Sequence, residues 1–247
     1  MTITDALLGP LLKADPARPL ITHYDGRYGS RAELSRATVA NWAAKTANWL
    51  CDELDVEPGT RVAVVLPPHW QTVGVLLGAW WCGAEITDDP AGAAVAFVGP
   101  DASADGAGAD LVAAVALDPL GRGLTDPPEG TVDYIGAARV HGDRFTPLFP
   151  VDGATPALLG TTVDELVAQA RRRAEELGAT DGERVLCTGE WSPAGGVVDR
   201  LLAPLAVGGS VVQVTGSVTE AELAERATVE RVTATLDVTV PGVRRLG

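Results

Sequence analysis

His69-Trp70 and Glu190-Trp191-Ser192 are the side chains best placed, by type and position, to meet a ligand. Each group follows an apolar run that reads as a strand, "RVAVVL" before the first and "RVLC" before the second. Open α/β sheets gather their ligands outside the carboxyl ends of the strands. A tryptophan at such a place can equally well plug the end of a sheet. Gly160-Thr161-Thr162, in "LLGTTVDELV", offers a different chemistry. A Gly-Thr-Thr run at a helix start can hold phosphate on backbone N–H groups. It can also be a cap and nothing more, with Thr162 accepting from the backbone of Glu165 and Glu165 reaching back. The ligand-binding candidates are His69, Trp70, Glu190, Trp191, Ser192, Thr161 and Thr162.

Catalytic signatures lack their context. There is no Gly-x-Ser-x-Gly elbow, and the glycines of "GEWSPAGG" stand at the wrong offsets around Ser192. Gly106-Ala107-Gly108 and Gly121-Arg122-Gly123 sit in loops rather than between a strand and a helix, so they read as turns and not as a dinucleotide fingerprint. His23, His69 and His141 are isolated, with no spacing that sets two on one helix face around a metal. Arg171-Arg172-Arg173 is followed by Glu175 and Glu176 and reads as the solvated face of a helix. No catalytic residue, metal or cofactor is expected.

Nineteen basic residues against 33 acidic ones give a formal charge of −14, which excludes nucleic-acid backbones and anionic membrane surfaces as partners. Cys51, Cys82 and Cys187 are odd in number and far apart, and they read as buried free thiols, Cys82 and Cys187 within apolar runs. No signal-peptide pattern opens the sequence and no apolar run has membrane-spanning length, so a cytoplasmic location is expected.

The elements that must position the candidates follow from periodicity. "ITDALLGPLLKAD" suits a short helix kinked at Pro10. "PLITHYDGRYGS" reads as a hairpin turning at Asp25-Gly26, followed by a capping box from Ser30 to Glu33 that opens a long helix. "RVHGDRFTPLF" suggests another hairpin turning at His141-Gly142-Asp143, and "RVTATLDVTV" an alternating strand. The order helix, loop, strand, helix, Gly, strand occurs twice. "LLAPLAVGGSVVQV" from Leu201 aligns without gaps on "LLGAWWCGAEITDD" from Leu76, each Leu-Leu pair leading to a Gly at equal spacing, Gly83 and Gly208. Strand-helix-strand units pair in parallel. The fold class is therefore α/β, with two related layered modules of mostly parallel sheet flanked by helices. The expected division is residues 1–150 and 151–247.

With these segments in view, the sequence resembles the N-terminal part of the AMP-forming adenylating enzymes: acyl- and aryl-CoA synthetases, peptide-synthetase adenylation domains and luciferases. The resemblance rests on "DPARPLITHYDGRYGSRAELSRATVANWAAKTANWL", "PGTRVAVVLPPHWQTVGVLLGAWWCGAEITDDP" and "DGERVLCTGEWSPAGGVVDRLLAPLAVGGSVVQV". It covers nearly all of this chain but roughly half of a usual family member. That family's phosphate loop, rich in Ser, Thr and Gly and closed by Pro-Lys-Gly, belongs just before Val163, where "GATPALLGTTVDELV" has neither the Pro nor the Lys. The family's adenine- and magnesium-binding loop, ribose-binding Asp and C-terminal lid are absent, and no His stands near Trp191-Ser192-Pro193 for its aromatic-His motif. The resemblance implies a truncated, catalytically deficient relative acting as a binding, regulatory or assembly module. The alternative is a residual acyl-adenylate or CoA-ligase-type enzyme, or an acyl- or nucleotide-binding protein. A half-length relative exposes surface, so a homodimer or a dedicated protein partner is expected, together with a small-molecule ligand.

Overall fold

The computed structural model describes residues 1–247. The chain opens with helix α1 (Ile3–Ala14), where Thr2 and Asp5 form a capping box. The helix runs on through the exposed Pro10 instead of stopping there. Strands β1 (Pro19–Asp25) and β2 (Ser30–Ser35) form the first hairpin. Asp25 pairs with Ser30, so the turn is the four-residue loop Gly26–Gly29 and not Asp25-Gly26 alone. Ser30 is therefore no helix cap. Ala32 and Leu34 face the core while Arg31 and Glu33 face out, a period-two pattern that keeps the segment in the hairpin. The cap is Ser35, whose side chain accepts from the Thr38 N–H and opens α2 (Arg36–Leu54). The first module continues with β3 (Arg61–Val65), α3 (Trp70–Cys82) and β4 (Glu85–Thr87).

A connecting region supplies β5 (Val95–Val98), β6 (Leu111–Ala114), β7 (Val132–Asp133) and α4 (Tyr134–Ala138). The expected hairpin around His141 is absent: residues 139–155 contain no strand. They run as a strap tied to α2, with Lys45 donating to the His141 carbonyl (2.7 Å) and Asn48 to the Arg144 carbonyl (2.9 Å). Because donors on α2 take these carbonyls, the segment needs no partner strand.

The second module repeats the first: hairpin β8 (Pro156–Leu158) and β9 (Thr161–Thr162), α5 (Val163–Glu176), β10 (Arg184–Cys187), a π-helical turn at Val198–Leu202 running into α6 (Ala203–Ala206), and β11 (Ser210–Thr215). Helix α7 (Glu220–Val229) starts at the capping box of Thr219 and Glu222. Strands β12 (Ala234–Leu236) and β13 (Arg244–Arg245) close the chain. All three residues of β12 are buried, so it is an inner parallel strand and not an alternating one. Gly83 and Gly208 both end their helices in the left-handed region (φ 86° and 72°), matching the aligned positions of the repeat.

The two sheets show how the modules interlock. One has the order β13-β12-β10-β11-β1-β2, the other β7-β6-β5-β3-β4-β8-β9. Each module's hairpin thus completes the other module's sheet: β1 lies parallel to β11, and β8 parallel to β4. Buried Arg36 adds a polar tie, donating to the carbonyls of Leu11 (3.1 Å) and Gly208 (2.8 Å). One continuous apolar cluster reaches from Ile3 to Leu205. Within it α2 and α3 touch at Gly78, where an added Cβ would meet the Ala43 carbonyl oxygen at 2.7 Å as well as Thr46. No helix is long and apolar enough to cross a membrane.

Candidate functional site

The hairpin exchange brings carboxyl strand ends from both sheets to one place. A cleft of about 400 Å³ opens there. Its walls come from β1 and its turn (His23, Asp25, Arg27, Tyr28), from the segment after β3 (Pro67, Pro68, His69), from Asp101 after β5 and Leu117 after β6, from Glu190 beyond β10 and from Thr215 at the end of β11. Gln71 fixes one wall, accepting from the Leu117 N–H (2.8 Å) and donating to the Asp118 carbonyl (3.1 Å).

Two imidazoles form the buried part of this cleft. His23 and His69 meet edge to face, ring centroids 4.6 Å apart. His69 is the N-cap of α3, its Nδ1 accepting from the Gln71 N–H (3.1 Å). A neutral ring that accepts at Nδ1 carries its proton on Nε2, and that buried atom has no partner. His23 Nε2 lies 3.0 Å from Thr215 Oγ1, which itself reaches the Tyr24 carbonyl at 3.4 Å. Burial pulls His23 down to about 4 against the opposing pull of Asp25. Burial, then the neighbouring His23, pulls His69 down to about 3. Both rings are neutral at physiological pH. A general acid or base works best with a pKa near the operating pH, so this pair suits hydrogen bonding to a bound molecule better than proton transfer.

The sequence-derived candidates divide. His69 and Glu190 line this one cleft. Trp70 is buried at the start of α3, packed on Trp42 (5.7 Å) and on His69 (5.7 Å). Trp191 is also buried, its Nε1 donating to Gln213 (3.0 Å). Ser192 is exposed in a tight turn, its N–H donating to the Gly195 carbonyl (2.7 Å). His23 was the missed partner. Its signal was a histidine near the carboxyl end of a strand, but only the sheet order shows that this strand lies beside β11. His141 stands apart, bonded to Glu53 (3.0 Å).

Thr161 and Thr162 lie elsewhere. Leu159 and Gly160 both have positive φ (48° and 81°), as the two central residues of a type I′ turn require, and they join β8 to β9. The Gly160 N–H donates to Glu85 (2.7 Å) and the Thr162 N–H to Glu165 (3.0 Å). Thr162 accepts in turn from the Glu165 N–H, completing a capping box. These bonds hold the Glu165 carboxyl below its usual range. Thr161 lines a separate groove with Leu158, Arg173 and Pro193, and Arg173 is paired with Asp199 (2.8 Å). The two donors best placed for a phosphate are thus engaged by the protein's own carboxylates.

No family model matches the sequence. A TIGR03089 family protein of Mycobacterium tuberculosis is 44% identical over 242 residues, spanning 95% of this chain and 98% of its own length. The chain belongs to the TIGR03089 family. The fold of this family member is similar to that of the AMP-forming CoA synthetases. An anthranilate CoA ligase, AuaEII, solved with anthranoyl-AMP, superposes with a TM-score of 0.74 at 13% identity over 96% of this chain and 49% of its own. Acetoacetyl-CoA synthetase from Streptomyces lividans gives 0.76 at 16%, over 96% and 42%. An acyl-CoA synthetase from Brucella canis gives 0.72 at 19%, over 96% and 47%. The chain therefore spans about half the length of these solved structures. At such identities the likeness is one of fold, and the matched portion is the N-terminal domain.

Proposed function

We propose that this chain is a catalytically deficient relative of the AMP-forming synthetases that works as a small-molecule binding module. One observation carries the reading: where the resemblance puts a phosphate loop, a two-residue turn stands, and its Gly160 and Thr162 N–H groups donate to Glu85 and Glu165. A phosphate there would displace carboxylates already bonded and would meet their charge. The ligand cleft is the one lined by His69 and Glu190, with His23, Asp101 and Thr215. ATP–pyrophosphate exchange over a broad panel of carboxylic acids should give no signal above a no-enzyme control. Robust exchange with any acid would sink the proposal.

A second reading, a residual acyl-adenylate or CoA-ligase-type enzyme, draws support from His69 and Glu190 sharing a cleft. It requires that Glu190→Ala abolish turnover while circular dichroism stays unchanged.

Assembly belongs to the same proposal. Leu148 and Phe149 on the strap are 72% and 50% exposed, and exposed apolar residues of this size favour a homodimer or a dedicated partner. A clean monomer by light scattering at high concentration contradicts it. The three unpaired cysteines support a reducing, cytoplasmic location.

A further inference from the structure

Cys51 stands in the last turn of α2 and Cys82 ends α3. In sequence they look unrelated. The close packing of the two helices at Gly78 and Thr46 lets both thiols converge. They line one cavity of about 210 Å³ together with Val56, Pro58, Phe145 and Phe149, the Cys51 S–H donating to the Val56 carbonyl (3.5 Å) and the Cys82 S–H to the Ala79 carbonyl (3.2 Å). Cys51 is only half-buried, whereas Cys82 lies behind it, fully buried. One sulfur is therefore reachable from outside and the second waits next to it.

Their chemistry differs in a useful direction. The neighbouring Cys82 thiol holds the Cys51 thiol below its ordinary range, and the Cys51 thiol together with burial holds Cys82 well above. The thiolate is the nucleophile, and a lowered, accessible thiol beside a second thiol is the arrangement that reversible oxidation needs. Cys187 has none of this. It is fully buried, burial pushes its thiol up, and neither of the other cysteines bonds to it.

We propose that Cys51 and Cys82 form a redox-active dithiol, a modification site whose oxidant is a hydroperoxide. The Cys51 thiolate attacks the peroxide. The O–O bond breaks, the departing oxygen leaves with a proton as water or alcohol, and Cys51 becomes a sulfenic acid. The Cys82 sulfur then attacks Cys51 Sγ. The S–O bond breaks, and hydroxide leaves as water with the Cys82 proton. Two thiols have lost two electrons, one peroxide has gained them, and a disulfide joins α2 to α3 beneath the strap.

The test uses the full chain. Reduced protein is treated with hydrogen peroxide, remaining thiols are blocked by alkylation, and non-reduced tryptic peptides are mapped by mass spectrometry. The expected product is two hydrogens lighter, contains a Cys51–Cys82 cross-linked peptide, and reverts with dithiothreitol. Cys187→Ser leaves the cross-link intact. Cys82→Ser abolishes it and leaves Cys51 as a sulfenic acid that dimedone traps. The wild-type map decides the matter even if a variant fails to fold. A Cys82 that remains free while Cys51 over-oxidises to sulfinic acid overturns the proposal, as does a Cys51 that peroxide leaves unchanged.

Discussion

The imidazoles of His23 and His69, one on a strand of the first sheet and one at the N-cap of α3, beyond the end of β3 in the second, meet edge to face at 4.6 Å. Both are held neutral by burial, with values near 4 and 3. In the unfolded chain an imidazole titrates near 6.5. The unfolded state therefore takes up protons first as the pH falls, and the folded state resists. Stability is greatest above about pH 6.5 and falls below it by about 1.4 kcal/mol per pH unit for each histidine, levelling off once the folded values are passed. Denaturant midpoints measured between neutral pH and pH 4 should show this slope, and His23→Gln should flatten it. A wild-type profile that is level from pH 7 to pH 5 would refute the assignment.

Glu230 lies under the opposite face of the same hairpin. Burial pushes its carboxyl up, but hydrogen bonds from Arg31 (2.8 Å), Tyr24 (2.6 Å) and Arg184 (2.7 Å) win and hold it down to about 2. Its side chain is 3% exposed, so solvent screens the network little. The sign is that of a depressed carboxylate: the stabilisation is complete above the unfolded value near 4.3 and is lost as the pH falls toward 2, about 3 kcal/mol in all. Glu230→Gln should lower stability at pH 7 and lose most of that deficit near pH 2. An equal deficit at both pH values would count against it.

Arg36 joins α1, α2 and the second module through buried carbonyls. Arg36→Met should cost about 2–3 kcal/mol because those acceptors are left without donors. Lysine should rescue little of this, since one ammonium cannot reproduce the spread of a guanidinium fork. Urea unfolding followed by fluorescence measures both variants, and a methionine variant within experimental error of wild type would remove Arg36 from this role.

Thr162 is tested in the same way, with a different expectation for ligands. Thr162→Ala should lose about 1 kcal/mol of stability by removing the cap, while Thr162→Ser keeps it. Neither should change the response of the protein to ATP in a thermal-shift titration. An ATP-induced shift present in wild type and absent in the alanine variant would restore the phosphate reading.

What could be read from the sequence was what neighbouring residues settle between themselves. The box at Thr162 closes between residues three apart and exists as read, and the one at Thr219 and Glu222 has the same spacing. The buried face of α5, from Val163 through Leu177, follows from helical spacing alone. The duplication was visible because Gly83 and Gly208 stand at equal distances from their Leu-Leu pairs, and a left-handed helix end favours Gly. Where a local signal met a tertiary one, the local signal lost. Ser30 and Glu33 had the spacing of a capping box, yet pairing with β1 and burial of Ala32 and Leu34 kept that segment a strand.

The sequence by itself thus determined the fold class, the repeat and the start of α5 at Thr162, because these depend on spacing along one chain. Tertiary structure alone decided which strand each hairpin joins, since an extended run rich in Val and Ile does not encode its neighbour. From that exchange of hairpins come the cleft and its paired histidines. The pairing of Cys51 with Cys82 comes likewise from helix packing, because it turns on which turns of α2 and α3 meet and not on the distance between the residues in the chain.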